Sequence, residues 1–171
     1  LREDYTFVRI SGADAASWLH SQTTNDVEGL SSGEGHHNAI LDRQGRLLGH
    51  FTLHRWEDEF WMLIECGQVD AVLKHLDDHL FIEDVTVERT EDSLEQLVLQ
   101  GPKTLVFLAS LMDDATGMGS SLLPSAWYGV HPVEISGIEV LAFRISMTGE
   151  DGYVFVGETG EGAVLMQQFC G

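Results

Sequence analysis

The chain has 171 residues, 43% of them hydrophobic and 9% aromatic, which is enough apolar material for the core of one or two domains and excludes a wholly disordered polymer. Nine Lys and Arg stand against 28 Asp and Glu, a formal net charge of −19. A field of that sign repels phosphate polymers and anionic bilayers, so the expectation is no nucleic-acid partner and no membrane docking. Cys66 and Cys170 have no second cysteine near them, so no disulfide framework, zinc site or redox pair is signalled, and a reducing cytoplasm fits. The longest apolar run, Leu105 to Met112, is far short of the ~20 residues that span a bilayer. A first residue other than Met, with no leader and no polar tail, reads as a piece of a longer protein.

In chain order, Ala15, Trp18, Leu19 and Gln22 fall at helical spacing behind Ser11 or Asp14 as a cap, which predicts a short helix over 11–22. Asn25-Asp26 and the glycine- and serine-rich stretch 29–35 read as loop. Segments 38–41, 47–55 and 60–66, parted by turn residues, read as an antiparallel meander. In its middle strand Phe51 and Leu53 share one face, and His50, Thr52 and His54 share the other, which is expected to be polar and open to a cleft or solvent. Val69, Val72, Leu73, Leu76 and Leu80 predict an amphipathic helix over 68–80. Strands follow at 84–89 and 94–100, then a helix from Gly101-Pro102 to Met112 with Pro102 in its first turn, and a polar linker over 113–121. Strands at 137–147 and 153–156 and a helix at 161–169 behind Thr159 complete the reading. The order β-β-α-β-β-α-β from Leu48 to Arg144 is that of an α+β unit.

Nucleotide and hydrolase signatures are absent: Gly117-Met118-Gly119 lacks a third glycine, no glycine-rich loop ends in Lys-Ser or Lys-Thr, and no nucleophile elbow occurs. His75 and His79, four apart, could offer two imidazoles to a cation, but they flank the leucine stripe and read as half-exposed surface histidines; His36-His37 reads as loop, and no metal is expected. The most specific segment is Thr148-Gly149-Glu150-Asp151-Gly152-Tyr153, in which two glycines bracket paired carboxylates at a turn between strands. Such a turn aims a carboxylate or is simply an acidic turn.

Three blocks, Ser11-Gly12-Ala13-Asp14 through Gln22-Thr23-Thr24-Asn25-Asp26-Val27, Leu41-Asp42-Arg43-Gln44-Gly45-Arg46-Leu47, and Arg144 through Tyr153, together with Leu99-Gln100-Gly101-Pro102, resemble the glycine-cleavage T-protein and the YgfZ-type folate-binding proteins in order and spacing. The resemblance implies the aminomethyltransferase folate-binding fold, with a discontinuous N-terminal domain over 1–47 plus 141–171, an inserted ferredoxin-like domain over 48–140, and a third domain outside the chain. It implies tetrahydrofolate or folinic acid as the small-molecule partner. Glu150 would accept the amino group and adjacent ring N–H of the pterin as a bidentate pair. Tyr153 would cover a ring face or join the core, Met147 would touch a ring edge where the T-protein often has Tyr, and Arg144, Arg43 and Arg46 would meet the polyanionic tail.

In the T-protein an Asp-Asp pair follows the glycine turn, and one of its carboxylates activates the folate nitrogen. Gly49-His50 stands at those positions, and only His50 could act as a base. That departure points to the YgfZ branch, accessory factors of iron–sulfur cluster assembly or repair whose partners would be assembly proteins. The signature cysteine motif of that branch lies beyond the chain, and Cys170 reads as a helix-end packing residue. A tetrahydrofolate-dependent aminomethyltransferase and an inactive fragment are the alternatives.

Overall fold

The computed structural model describes residues 4–91, 93–116, 123–135 and 137–170, with side chains except for 111–116 and 168–170. Its contacts divide the chain between Glu91 and Asp92 into two compact units. The first unit holds β1 (Tyr5–Ser11), α1 (Ala15–Gln22), β2 (Gly35–Leu41), β3 (Leu47–Trp56), β4 (Glu59–Glu65), α2 (Cys66–Asp78) and β5 (Thr86–Arg89). The second holds β6 (Leu94–Gln100), α3 (Thr104–Thr116), β7 (Val130–Ile135), β8 (Ile138–Arg144), β9 (Gly152–Glu158) and α4 (Glu161–Cys170). Both sheets are antiparallel, in the orders β2-β3-β4-β1-β5 and β6-β9-β8-β7, so the α+β class holds.

The borders expected at 47/48 and 140/141 fall inside hydrogen-bonded strands. Leu47 begins β3, which pairs with β2 on one side and β4 on the other, and Leu141 lies within β8, bonded to β7 and β9. The contacts divide the chain between β5 and β6.

In the first unit Val8, Ile10, Ile40, Phe51, Leu53, Met62 and Ile64 from one sheet face bury against Trp18 and Leu19 of α1 and Val69, Val72 and Leu76 of α2. The stripe on α2 follows the predicted spacing. The opposite face departs from expectation: His50 is exposed, but Thr52 and His54 are buried, with the His54 ring 2.9 Å from the Thr52 hydroxyl. They share that face with Leu63 and Trp61 of β4 and Phe7 of β1, all buried, and the Phe7 and Trp61 rings meet edge-on at 6.1 Å.

Two strands are not visible in the sequence pattern. β1 buries Thr6, Phe7, Val8 and Ile10, with Phe7 and Val8 on opposite faces, so it shows no clean alternation. β7 carries Pro132, which demotes a run to an edge strand, and an edge is where it lies. Pro102 precedes α3 rather than sitting in its first turn, and α3 runs on through Thr116 into the expected linker, whose residues 117–121 lie outside the described ones. Asp14 occupies the cap position of α1 but spends its carboxylate on the Asp84 N–H, tying α1 to the segment before β5.

The segment after α1 is organised by one side chain. Asn38 of β2 is buried, and its Oδ1 accepts the N–H groups of Thr24 and Asn25 at 3.0 Å, the Ala39 N–H at 2.9 Å and the Thr24 hydroxyl at 3.1 Å, while its Nδ2 donates to Thr23 Oγ1 at 2.9 Å. An apolar isostere takes this acceptor from the Asn25 N–H and the Thr24 hydroxyl, while the Thr24 N–H keeps Ala39 O and the Ala39 N–H keeps Thr24 Oγ1. Asn38→Leu is therefore expected to lower unfolding stability by about 1–3 kcal/mol, read from the urea midpoint at unchanged m-value.

Candidate functional site

His50 leaves β3 on the side away from the core, next to Gly49. A Cβ built on Gly49 would lie 2.4 Å from Val72 Cγ2 of α2, so only a glycine lets that helix lie on the strand. Gln68, one turn earlier on α2, reaches His50 twice: its Oε1 accepts the His50 backbone N–H at 2.9 Å and lies 3.1 Å from ring Nδ1. Since an amide oxygen only accepts, Nδ1 is the donor in this contact. Gln68 Nε2 in turn donates to Glu65 Oε2 at 2.9 Å. No sequence signal marks this chain of three, because its members are spread over β3, β4 and α2.

The turn from Thr148 to Gly152 is clasped to the end of β6. Gly149 adopts φ +86°, the left-handed region that favours glycine, and its N–H donates to Ser146 Oγ at 2.8 Å. Gly152 faces Gln100 across the β6–β9 ladder, and a Cβ there would meet Ile145 O at 2.6 Å and Gln100 Cγ at 2.8 Å. The Gly101 N–H donates to Asp151 O at 3.0 Å, and Glu150 Oε2 lies 4.0 Å from where a Gly101 Cβ would be. Glu150 is exposed and has no hydrogen bond or ion pair among the described residues. Beside it, Gln100 Nε2 is a buried donor with no acceptor among them. Met147 is half-buried in the segment leading to the turn.

Arg144 and Tyr153 are brought together, but not toward an open surface. They face one another across β8 and β9, and both reach the segment before β7. The Tyr153 hydroxyl donates to Pro124 O at 3.1 Å, from a ring that is 1% exposed and stacked on Phe155 at 6.2 Å. The Arg144 guanidinium binds Asp151 Oδ1 at 2.8 Å, donates to Ser125 O, and lies 4.7 Å from the centroid of the half-exposed Trp127 ring. Backbone bonds from Arg144 N–H to Gly129 O and from Tyr128 N–H to Arg144 O complete the attachment. Of the residues expected at a ligand, these two fasten the segment of residues 124–129 to β8 and β9.

Arg46, expected at an anionic tail, closes its own turn: its Nε lies 2.6 Å from Asp42 Oδ2, and Asp42 Oδ1 accepts the Gln44 and Arg46 N–H groups. Those bonds, first the one from the Arg46 backbone, hold the Asp42 carboxyl below the usual range. Arg43 is exposed in the same turn. His75 and His79 stack with centroids 4.2 Å apart, and His79 Nδ1 is 2.7 Å from the His75 carbonyl. Two surface depressions of the first unit, of about 420 and 350 Å³, are lined by none of the residues expected to touch a ligand, although Ser11, Gly12 and Ala13 line the first and Asp14 the second.

The family model for the GCVT N-terminal domain matches residues 4–170. The chain belongs to that family. The GCVT-domain chain is 31% identical over 147 residues to the aminomethyltransferase of Bacillus subtilis (strain 168), covering 85% of this chain and 39% of that relative. It is also 31% identical over 138 residues to an aminomethyltransferase of Leptospira interrogans, covering 80% and 35%. It thus spans about two fifths of the length of the relatives it matches. Among solved structures, glycine cleavage system aminomethyltransferase T from Bartonella henselae superposes with TM-score 0.77 at 20% identity, over 98% of this chain and 43% of that one. Heterotetrameric sarcosine oxidase from Corynebacterium sp. U-96 superposes with TM-score 0.61 at 16% identity, over 96% and 77%. These two likenesses show the fold.

Two consequences of this arrangement in the GCVT-domain chain are measurable. Burial pushes the Tyr153 hydroxyl above its ordinary value of 10.0, the Asp151 charge adding to the effect and Arg144 opposing it. The unfolded chain ionises this tyrosine first, so stability is full below pH 10.0 and falls as the pH rises above it. In Tyr153→Phe that alkaline loss is expected to shrink, as followed by urea melts across the alkaline range. Gly49→Ala forces a methyl group against Val72 and is expected to cost about 1–3 kcal/mol in thermal or urea unfolding, with part of the loss recovered in Gly49→Ala/Val72→Ala.

Proposed function

We propose that the chain is the folate-binding N-terminal portion of a tetrahydrofolate-dependent aminomethyltransferase. The observation that carries this reading is the Glu150 carboxylate: exposed, unengaged among the described residues, and held on a turn fixed by Gly149, Gly152 and the Gly101–Asp151 bond. A pterin presents an amino group beside a ring N–H, and a carboxylate accepts such a two-donor edge in bidentate fashion. Tetrahydrofolate, when bound, supplies the nitrogen that takes up the one-carbon unit. Glu150 fits this group and Met147 is placed in the segment beside it, whereas Arg144 and Tyr153 are committed to the segment of residues 124–129. The sequence alone ranked an accessory factor first; the order is reversed here because the relatives are named aminomethyltransferases.

The accessory-factor reading, a YgfZ-type folate-binding protein serving iron–sulfur cluster assembly or repair, keeps one specific support. Position 49 has no room for a side chain under Val72, so an acidic pair at 49 and 50 is incompatible with this packing. The two readings share folate binding and divide on chemistry.

Calorimetry on the full-length protein tests the shared part: Glu150→Ala is expected to weaken tetrahydrofolate binding about 10- to 100-fold, the worth of a charge-assisted bidentate pair, and unchanged affinity removes Glu150 from the site. Transfer of an aminomethyl group from a lipoyl carrier to tetrahydrofolate by the full-length protein supports the enzyme. Tight folate binding without transfer supports the accessory factor.

A further inference from the structure

We propose that the depression of about 420 Å³ beside the β3–β4 turn binds a small zwitterion, whose carboxylate is held by Arg55 and whose ammonium group is held by Asp58. All of its residues belong to the first unit, and it does not rest on the folate reading.

The sheet and the turn set its walls. Arg55, near the end of β3, faces Phe60 of β4 across the ladder, and Phe60 faces Ile10 of β1 in the same row. The Phe60 ring is held in the core, and the Arg55 guanidinium carbon lies 5.6 Å from its centroid. Asp58 stands in the turn between the two strands, while Ser11, Ala13 and Ala16 come from the end of β1 and the start of α1. The small side chains of that second group leave the space open. Its volume falls in the range of small-molecule sites, about 300–1,000 Å³.

Two opposite charges line this space without meeting. Arg55 donates from Nε to the Glu57 carbonyl at 3.3 Å and from Nη1 to the Leu30 carbonyl at 2.9 Å. Those bonds fix the plane of the guanidinium, and Nη2 is left without a partner among the described residues and is not buried. No carboxylate pairs with Arg55 among the described residues, and Asp58 is exposed with no hydrogen bond or ion pair among them. The Ser11 hydroxyl is unengaged in the same sense, whereas Glu59 is drawn to Arg9 at 3.9 Å.

A ligand that fills the gap has to carry both signs. A simple anion is opposed by Asp58 and by the field of a chain of net charge −19, and a simple cation meets the Arg55 guanidinium. A molecule with a carboxylate and an ammonium group a few ångströms apart brings no net charge into that field. Its carboxylate accepts from Nη2 of Arg55, and its ammonium group donates to Asp58, both as charge-assisted hydrogen bonds. Free amino acids and their ω-amino homologues are the class that fits.

A ligand-observed NMR titration of the full-length protein with L-alanine, β-alanine and γ-aminobutyrate, in which the charges move apart by one carbon at each step, reads both the class and the span. The expected result is saturable binding below about 10 mM by one or more of the three, with propionate and propylamine, which carry one charge each, about 10-fold weaker. Asp58→Asn is expected to weaken the favoured member about 10-fold at an unchanged urea midpoint, because that carboxylate holds nothing in the fold. Arg55→Gln is expected to weaken it as much, with the loss of its two carbonyl bonds read separately as a lower urea midpoint. Where Arg55→Gln does not fold, Asp58→Asn decides alone. No saturation by any of the three, equal binding of the single-charge controls, or an affinity unmoved in Asp58→Asn overturns the site.

Discussion

The contact of Val72 with the bare backbone of Gly49 sets the arrangement of the whole first unit. A methyl group at position 49 would push α2 off β3, and with it Val69, Val72 and Leu76, which close the core over Phe51, Leu53 and Ile64. Packing of this density transmits such a shift rather than absorbing it. The same approach brings Gln68 over the strand, so the geometry around His50 follows from the core and needs no separate design. Core packing and site geometry here are one constraint.

The second unit is organised from its middle strand. β9 is bonded on both sides, and its first two residues fix what lies around them: Gly152 admits the Gln100 side chain, while Tyr153 and its partner Arg144 fasten the segment of residues 124–129 at Pro124, Ser125, Trp127 and Gly129. Asp151, between the turn and the strand, is bound through both its main chain and its carboxylate, to Gly101 and to Arg144. Glu150 is left as the acidic side chain of the turn with no partner among the described residues. The division of labour is physical: one carboxylate of the pair is neutralised to build the turn, and its neighbour stays available.

What was legible in the sequence was whatever repeats with the period of a single element. The α2 stripe, the β2-β3-β4 meander and the alternation in β9's neighbours fall in that class, as do turns marked by glycine. What was not legible depends on contacts between elements. β1 is buried on both faces and shows no period; Asn38 looks like any polar residue until the loop of residues 23–26 folds onto it; Thr52 and His54 alternate as a polar face yet are buried. At the candidate site, the glycines of the block of residues 144–153 marked its turn from residue types alone. The block carried no signal for the contacts of Arg144 with Asp151 and Trp127 or of Tyr153 with Pro124, because these depend on a segment far away in the chain.

The charge balance bears on how a folate would be recognised. Most of the cations are committed locally: Arg9 to Glu88, Arg46 to Asp42, Lys74 to Asp78, Arg89 to Asp70 and Arg144 to Asp151, while Arg55 donates to the Leu30 and Glu57 carbonyls. In a chain of net charge −19 the long-range field opposes an anionic tail, and ion pairs of this kind are screened and weak at the surface. Lys103 stands apart, two residues beyond the Gly101 that Glu150 approaches, and has no ion pair among the described residues. Under the proposed function, recognition would therefore lean on the directional acceptor at Glu150 more than on attraction. A carboxylate facing a two-donor ring edge keeps its selectivity in a negative field, because it is satisfied by N–H geometry that a bare cation cannot supply.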